Sequence, residues 1–221
     1  MTDMKHILTI LTLCLCSVYG MKAQGLKQLG TAVDDIVPEG WTHSEAVGDV
    51  DKDGLNDLVI AATPNFKENM KTRYDGYVYN FNKPILAIYL KSSDGKYRLY
   101  KKFENVIPGN ENEFHSVSHS LEITNRGTVR ITIEHFSSGG GYGSETTTYT
   151  FRMQEGEFYL IGRDITTLQR NTGESETISE NYLTCKRQTV RDNAFENRKK
   201  SEKWTKLPKA PLKKLGDTML E

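Results

Sequence analysis

An acidic loop at positions 48–60, with the sequence GDVDKDGLNDLVI, carries the residues best suited to chemistry. Carboxylates alternate at Asp49, Asp51 and Asp53, and a fourth stands at Asp57. A hard dication such as Ca²⁺ takes about six to eight oxygen ligands, and a chain that curls round it supplies them from alternating positions. Four carboxylates this close repel one another without a cation. The spacing therefore predicts a calcium site, with the metal ordering the loop.

The rest of the loop refines this prediction. Gly54 allows a sharp turn at the sixth position, and Leu55 offers its backbone carbonyl at the seventh. The twelfth position is Ile60, where the helix-flanked EF-hand loop needs a bidentate glutamate, so an EF-hand is excluded and an affinity weaker than about 10⁻⁵ M is expected. The alternative is an acidic turn that binds nothing at physiological calcium. The predicted ligands are Asp49, Asp51, Asp53, the Leu55 carbonyl and Asp57.

An apolar run at 58–62 follows the acidic loop directly and predicts a buried strand. A strand entered straight from such a loop resembles the calcium loop of FG-GAP and VCBS-type repeats, which build β-propellers in secreted and adhesive proteins. The runs at 150–152, 158–162 and 181–184 look like a pattern found in uncharacterised bacterial secreted proteins that carry a single loop of this kind. This resemblance implies one β-rich domain and no established reaction. Because the motif occurs once, it cannot build a whole propeller.

Apolar and polar residues alternate elsewhere in short runs that are separated by turn residues, which is typical of antiparallel strands. Three hairpins in series are predicted, pairing 85–91 with 97–103, 121–124 with 129–136, and 147–153 with 157–162. Further strands are expected at 164–169, at 177–184 and, in the tail, at most once around 200–207. The predicted fold class is mainly β, an antiparallel meander or sandwich with one calcium loop-strand unit and little helix.

Residues 1–24 have the layout of a secretory signal peptide, because Lys5 precedes an apolar run at 7–19 and small or polar residues follow it. The run is too short for a permanent transmembrane anchor. Cys14 and Cys16 each follow leucine, whereas lipid attachment favours a small residue there, so cleavage is preferred to lipid anchoring. We expect a mature chain that is exported to the periplasm, the cell surface or the medium.

Cleavage would leave Cys185 as the one remaining cysteine of the three, so no internal disulfide is expected. A small buried side chain is the preferred interpretation of Cys185, and a reactive thiol is the alternative. Cys185 also stands where the resembled pattern has glycine, so the local turn is expected to differ.

The charge pattern separates an acidic body from a basic tail. The whole chain carries 29 basic and 29 acidic residues, which argues against a nucleic-acid-coating protein, and its 37% hydrophobic and 26% charged residues are typical of a globular chain. Residues 24–185 hold 16 basic and 23 acidic side chains, whereas 186–214 hold 11 and 3. We expect a single domain at 25–190 and a basic strap at 191–221. The strap either folds onto the body or attaches to an anionic surface. Its apolar residues favour folding back, with the predicted anchors Trp204, Leu207, Leu212 and Leu215.

Other candidate sites are weaker. The glycine-rich run 139–143 lacks the helix pattern of a phosphate loop and is expected to be a mobile hairpin loop. His115 and His119 lie in an extended segment that would separate them by roughly 13 Å, which disfavours zinc binding. Tyr77, Tyr79 and Phe81 would share one face of a strand, where core packing is preferred to stacking on sugars.

Two classes of function remain for this chain. The preferred class is a non-catalytic, calcium-binding module for envelope glycan or protein, because the sequence shows no catalytic motif such as a nucleophile elbow or HExxH. No nucleic-acid partner is expected, and the sequence does not indicate an oligomeric state. The alternative class is a secreted hydrolase using carboxylates such as Glu134 and Glu145.

Overall fold

The structure is a computed structural model that describes residues 25–137, 142–196, 198–217 and 219–221. Within these ranges, two antiparallel sheets and a small hairpin hold the strands, and helix is confined to α1 (Val33–Ile36) and one 3₁₀ turn (Lys67–Asn69). The first sheet has five strands, in the order β1-β7-β6-β3-β2. Its strands are β1 (Leu29–Gly30), β2 (Thr42–Gly48), β3 (Asp57–Thr63), β6 (Ile85–Lys91) and β7 (Tyr97–Phe103). Between β3 and β6, the chain forms the hairpin of β4 (Met70–Thr72) and β5 (Val78–Asn80).

The second sheet is a seven-stranded meander whose strands lie side by side in chain order. These strands are β8 (His115–Ile123), β9 (Thr128–Ser137), β10 (Gly143–Gln154), β11 (Glu157–Gln169), β12 (Glu174–Asn181), β13 (Lys186–Asn193) and β14 (Arg198–Lys206). The sequence prediction of a mainly β fold, an antiparallel meander or sandwich with little helix, is therefore confirmed. Among the described residues, no helix is long and apolar enough to cross a membrane.

The two sheets pack face to face around the main core. Val59 and Ile88 of the first sheet meet Ile131 and Phe151 of the second, and all four are almost fully buried. The opposite face of β3 is covered as well, because Ile36 and other residues before β2 close a second cluster over it. Strand β3 is consequently buried on both faces, which explains its continuous apolar sequence.

Strands β6 and β7 have the bounds predicted from the sequence, whereas the other predicted strands differ in their bounds; β8, predicted at 121–124, begins at His115. The runs predicted separately at 157–162 and 164–169 form one strand, β11, with a bulge opposite Thr150/Phe151. The strand predicted at 177–184 begins and ends three residues earlier, at 174 and 181. The tail forms two strands, β13 and β14, where the sequence predicted at most one. Strand β13 was not predicted because it carries charged residues in place of an alternating apolar pattern; ion pairs to β12 stabilise it.

The basic tail lies against the body, although its predicted aromatic anchor does not. Trp204 is 59% exposed on the edge strand β14, so its predicted burial is wrong. Leu215 and Leu220 enter the main core, and the Leu215 N–H donates to the Phe158 carbonyl at 2.7 Å. Apolar contact is therefore made by the last residues of the tail, after the edge strand has ended.

Candidate metal centre

The acidic loop connects β2 to β3, so it occupies the end of a hairpin in the first sheet. Two residues in it have left-handed backbone conformations, Lys52 with φ 69° and Gly54 with φ 88°. The Asp49 carboxylate accepts hydrogen bonds from the N–H groups of both, at 2.6 and 3.1 Å. The loop thus curls round the first of its carboxylates, as the alternating sequence requires.

Three carboxylates converge inside this curl. Carboxylate oxygens of Asp49, Asp51 and Asp57 all lie within 4.8 Å of one another. Oxygens bound to one calcium ion at about 2.4 Å can lie at most about 4.8 Å apart, so the three groups fit a shared cation of that size. The chemistry of the donor set is also that of a hard dication, since every side-chain donor is an anionic oxygen.

Asp57 is the anchor of the cluster. Its side chain is fully buried at the start of β3, and its two oxygens accept hydrogen bonds from the Val50 and Lys91 N–H groups, each at 2.9 Å. Burial raises the pKa of the Asp57 carboxyl above its usual range, the two N–H donors oppose that shift, and the charges of Asp51 and Asp53 reinforce it. The two N–H donors do not fully offset the cost of burying the negative charge of Asp57, and a bound cation would offset the rest.

The remaining two predicted ligands are placed differently. Asp53 is exposed and lies outside the converging group; its Oδ1 accepts the Leu55 N–H at 2.7 Å. Leu55 is half-buried directly before the turn into β3. The structure therefore brings together three of the predicted side chains, while coordination by Asp53 and by the Leu55 carbonyl stays a prediction.

Two supporting contacts come from outside the loop and were not foreseen from the sequence. The Lys91 N–H that holds Asp57 belongs to β6, and Lys52 Nζ donates to the Asn125 carbonyl, 3.5 Å away, in the turn between β8 and β9. Nothing in the acidic motif indicates either partner, because both depend on how distant strands pair. The turn residues at Asn125–Gly127 were visible in the sequence, but only as a hairpin.

The segment that contains the acidic loop matches a known family. A model of the FG-GAP repeat matches residues 41–81. The match runs from Trp41 through β2, the acidic loop and β3 to the β4–β5 hairpin, which is less than half of the chain. No significant match was found among curated proteins, and none among solved structures. The segment that the FG-GAP model matches contributes β2 and β3 to the first sheet of the sandwich.

The FG-GAP segment also contains the aromatic residues for which core packing was the preferred interpretation. That interpretation is wrong for Tyr77, which is 59% exposed. Its ring lies edge-on to that of Tyr79, with centroids 4.8 Å apart, and Tyr79 stacks on Phe81 at 6.1 Å. The Arg73 guanidinium lies 5.8 Å from the Tyr77 ring centre. We call Tyr77, Tyr79, Phe81 and Arg73 the aromatic shelf.

Two further weak candidates are the histidine pair on β8 and the glycine-rich run at 139–143. His115 and His119 both lie on the extended strand β8, as predicted, and a shared zinc ion is therefore disfavoured. Burial lowers the pKa of His119, and a hydrogen bond to the Ala61 backbone opposes that shift. Of the predicted glycine loop at 139–143, residues 139–141 lie outside the described part of the chain, and Gly143 begins β10.

Proposed function

We propose that this protein is an exported, calcium-stabilised binding module with no catalytic role of its own. The observation that carries the proposal is the convergence of Asp49, Asp51 and Asp57 on a space that fits one dication. An FG-GAP match over the same loop supports it, because such repeats often bind calcium and are typical of extracellular or surface proteins. The predicted signal segment at 1–24 adds to the case for export, although it lies outside the described residues.

Calcium in this site would act on structure. The three converging carboxylates would hold the ion, with Asp53 and the Leu55 carbonyl completing the oxygen shell, and the ion would supply the positive charge that offsets their repulsion. Asp57 links the site to β6 through the Lys91 N–H, and Lys52 links it to the second sheet through Asn125. Ordering of this loop should therefore stabilise the packing of one sheet on the other.

The aromatic shelf supports a binding role for the same segment. Exposed aromatic rings with an adjacent cation offer faces on which sugar rings or aromatic side chains can stack. Tyr74, beside the shelf, is 98% exposed and is a further ring of this kind. We therefore propose that the shelf contacts an envelope glycan or protein, and we place the binding surface at the β4–β5 hairpin.

The two carboxylates proposed for the hydrolase alternative, Glu134 and Glu145, do not lie on the same face of the sheet. Glu134 stands opposite Thr146 in the β9–β10 pairing, and Glu145 immediately precedes Thr146 along β10. Successive residues of a strand point to opposite faces, so the Glu134 and Glu145 side chains lie on opposite sides of the sheet. They cannot flank one glycosidic bond together, which favours the binding role for this chain.

Binding to a glycan array, with peptidoglycan fragments and envelope proteins included, tests the proposal when it is run in calcium and in chelator. We expect retention of at least one ligand class, and at least tenfold weaker binding for a Tyr77→Ala, Tyr79→Ala double variant. Tyr142→Ala is the matched control, because Tyr142 is also 59% exposed but lies outside the shelf. Equal binding by the double variant and the control would exclude the shelf as the binding surface.

A further inference from the structure

A cavity of about 500 Å³ lies between the second sheet and the C-terminal residues that cross it. Its sheet side is formed by β10 to β13, and its cover is formed by residues 207, 208, 210–216 and 219–221. The volume falls in the range of small-molecule sites, about 300 to 1,000 Å³. This cavity lies outside the FG-GAP match, which ends at residue 81.

The charged wall of the cavity is organised by Glu180. The side chain of Glu180 is only 2% exposed, and three neighbours donate hydrogen bonds to it. Arg163 contacts Oε2 through Nε at 3.1 Å and Nη2 at 2.9 Å, and Tyr182 donates to the same oxygen at 2.6 Å. Arg187 donates to Oε1 through Nε at 2.8 Å. The carboxylate is thus saturated, and it fixes both guanidinium groups in position.

Two guanidinium groups face this cavity against one buried carboxylate, so the cluster carries a net positive charge. Each guanidinium has five N–H donors, and Glu180 takes two from each. The side chains of Arg163 and Arg187 are still 34% and 42% exposed. Donors therefore remain on both arginines for an incoming anion, and the geometry is held before the anion arrives.

The remaining walls combine apolar side chains with three further charged residues, Lys213, Lys214 and Glu221. The chain that covers the cavity contributes Leu207, Pro208, Leu212 and Leu215, and the sheet contributes Phe151 and Leu160. A free inorganic anion would gain nothing from these walls, and a neutral apolar molecule would leave the N–H donors that Glu180 does not use without an acceptor. The lining thus matches a molecule with a single anionic head and an apolar body.

We propose that this cavity binds an amphipathic carboxylate of the medium-chain fatty acid class. The carboxylate lies against Arg163 and Arg187, where bidentate N–H contacts suit its geometry, and the alkyl chain lies along the leucine and proline residues of the cover. The site is separate from the calcium loop and from the aromatic shelf, so it is independent of the function proposed above.

Isothermal titration of the purified protein with sodium decanoate, below its micelle concentration, tests the proposal. We expect saturable binding of one decanoate per chain, and at least tenfold weaker binding of decanol and of inorganic phosphate. Arg187→Gln and the charge-retaining Arg187→Lys should each weaken decanoate binding at least tenfold, because both remove the guanidinium fork. Thermal melting of each variant verifies that it is folded.

Arg191→Gln is the matched control, since Arg191 lies on the same strand as Arg187 but pairs with Glu176 outside the cavity. This control should bind decanoate as the wild type does. The proposal is overturned if decanoate shows no saturable binding at millimolar concentration, if decanol binds equally well, or if Arg191→Gln weakens binding as much as the Arg187 variants.

Discussion

Gly127 lies directly against Asp49, since a β-carbon added to Gly127 would stand 2.6 Å from the Asp49 carbonyl oxygen. Asp49 begins the FG-GAP loop of the first sheet, and Gly127 ends the turn between β8 and β9 of the second. The backbone of the candidate metal site is thus in contact with the other half of the sandwich. A change in that turn should therefore affect the metal site through the Asp49 backbone, without altering any ligand side chain.

Replacement of Gly127 by alanine should test this contact. Its φ of 72° costs any other residue about 1 kcal/mol, and the clash with Asp49 adds to that cost. Gly95→Ala is the control, because Gly95 has φ 81° in another hairpin turn and no atom within 4 Å of its added β-carbon. We expect Gly127→Ala to lower both the melting temperature and the calcium affinity further than Gly95→Ala does. Equal losses of melting temperature and of calcium affinity in the two variants would show that the contact between Gly127 and Asp49 does not influence the metal site.

The fold was predictable from the sequence wherever local patterns specified it. Strands β6 and β7 were predictable because the apolar run of β6, the alternation of β7 and the Asp94-Gly95 turn between them agree. Strand β13 was missed because its partners are charged side chains on neighbouring strands, as in the pair of Arg187 with Glu180. Such pairs depend on strand register, which periodicity does not report.

The same limit applies to the functional sites. The carboxylates of the FG-GAP loop lie within nine residues of one another, so the sequence alone indicated a metal. The Arg163–Glu180–Arg187 cluster joins three strands and the chain's last segment, and no motif marks it. Exposure of Tyr77 was not predictable from the sequence either, because alternation shows that rings share a face but not whether that face is covered.

Glu180 should contribute to stability in a pH-dependent way. Burial alone would raise its pKa, but hydrogen bonds from Tyr182 and Arg187 and the charge of Arg163 lower it below the usual 4.5. A lowered folded-state pKa gives stability that is present above the unfolded value and is lost as pH falls below about 4.5. Glu180→Gln should therefore cost about 2 kcal/mol at pH 7 and flatten the stability profile below pH 4.5.

Glu176→Gln is the control for this measurement, because Glu176 pairs on the same two strands with Arg191, whose side chain is 66% exposed. Surface pairs contribute about 0 to 1 kcal/mol, so this variant should keep nearly the wild-type profile. Urea unfolding between pH 3 and pH 7 compares the two. A Glu180→Gln profile parallel to the wild type would contradict the assignment.

The last residues of the tail should matter more for stability than its tryptophan. Leu215 is 5% exposed within the main core, so Leu215→Ala should destabilise by about 2 to 5 kcal/mol. Trp204 is largely exposed on β14, and Trp204→Ala should cost about 1 kcal/mol or less. Denaturant unfolding gives both values. A larger loss of unfolding free energy for Trp204→Ala than for Leu215→Ala would contradict this order and would favour Trp204 as the apolar anchor of the tail.

Cys185 occupies a position better suited to glycine. Its φ is 52°, in the left-handed region, and its Sγ makes one weak contact of 3.7 Å to the Tyr182 carbonyl. Cys185→Gly removes the backbone strain, whereas Cys185→Ala removes the same sulfur and keeps the strain. We expect the glycine variant to be more stable than the alanine variant by about 1 kcal/mol in thermal or urea unfolding. An alanine variant of equal or greater stability would contradict the strain.

Thermal unfolding of the purified protein in calcium, in magnesium and in chelator tests the central claim most directly. With a dissociation constant of about 10 μM, calcium at 1 mM would add roughly 2.7 kcal/mol by mass action and raise the melting temperature by several degrees. Magnesium should not reproduce the shift, because it keeps its own waters and demands a tighter shell. Asp51→Asn should abolish it, whereas Asp94→Asn should not, since Asp94 holds the Lys96 N–H in a similar turn outside the cluster. Equal wild-type melting temperatures in all three solutions, at several millimolar metal, would contradict the claim.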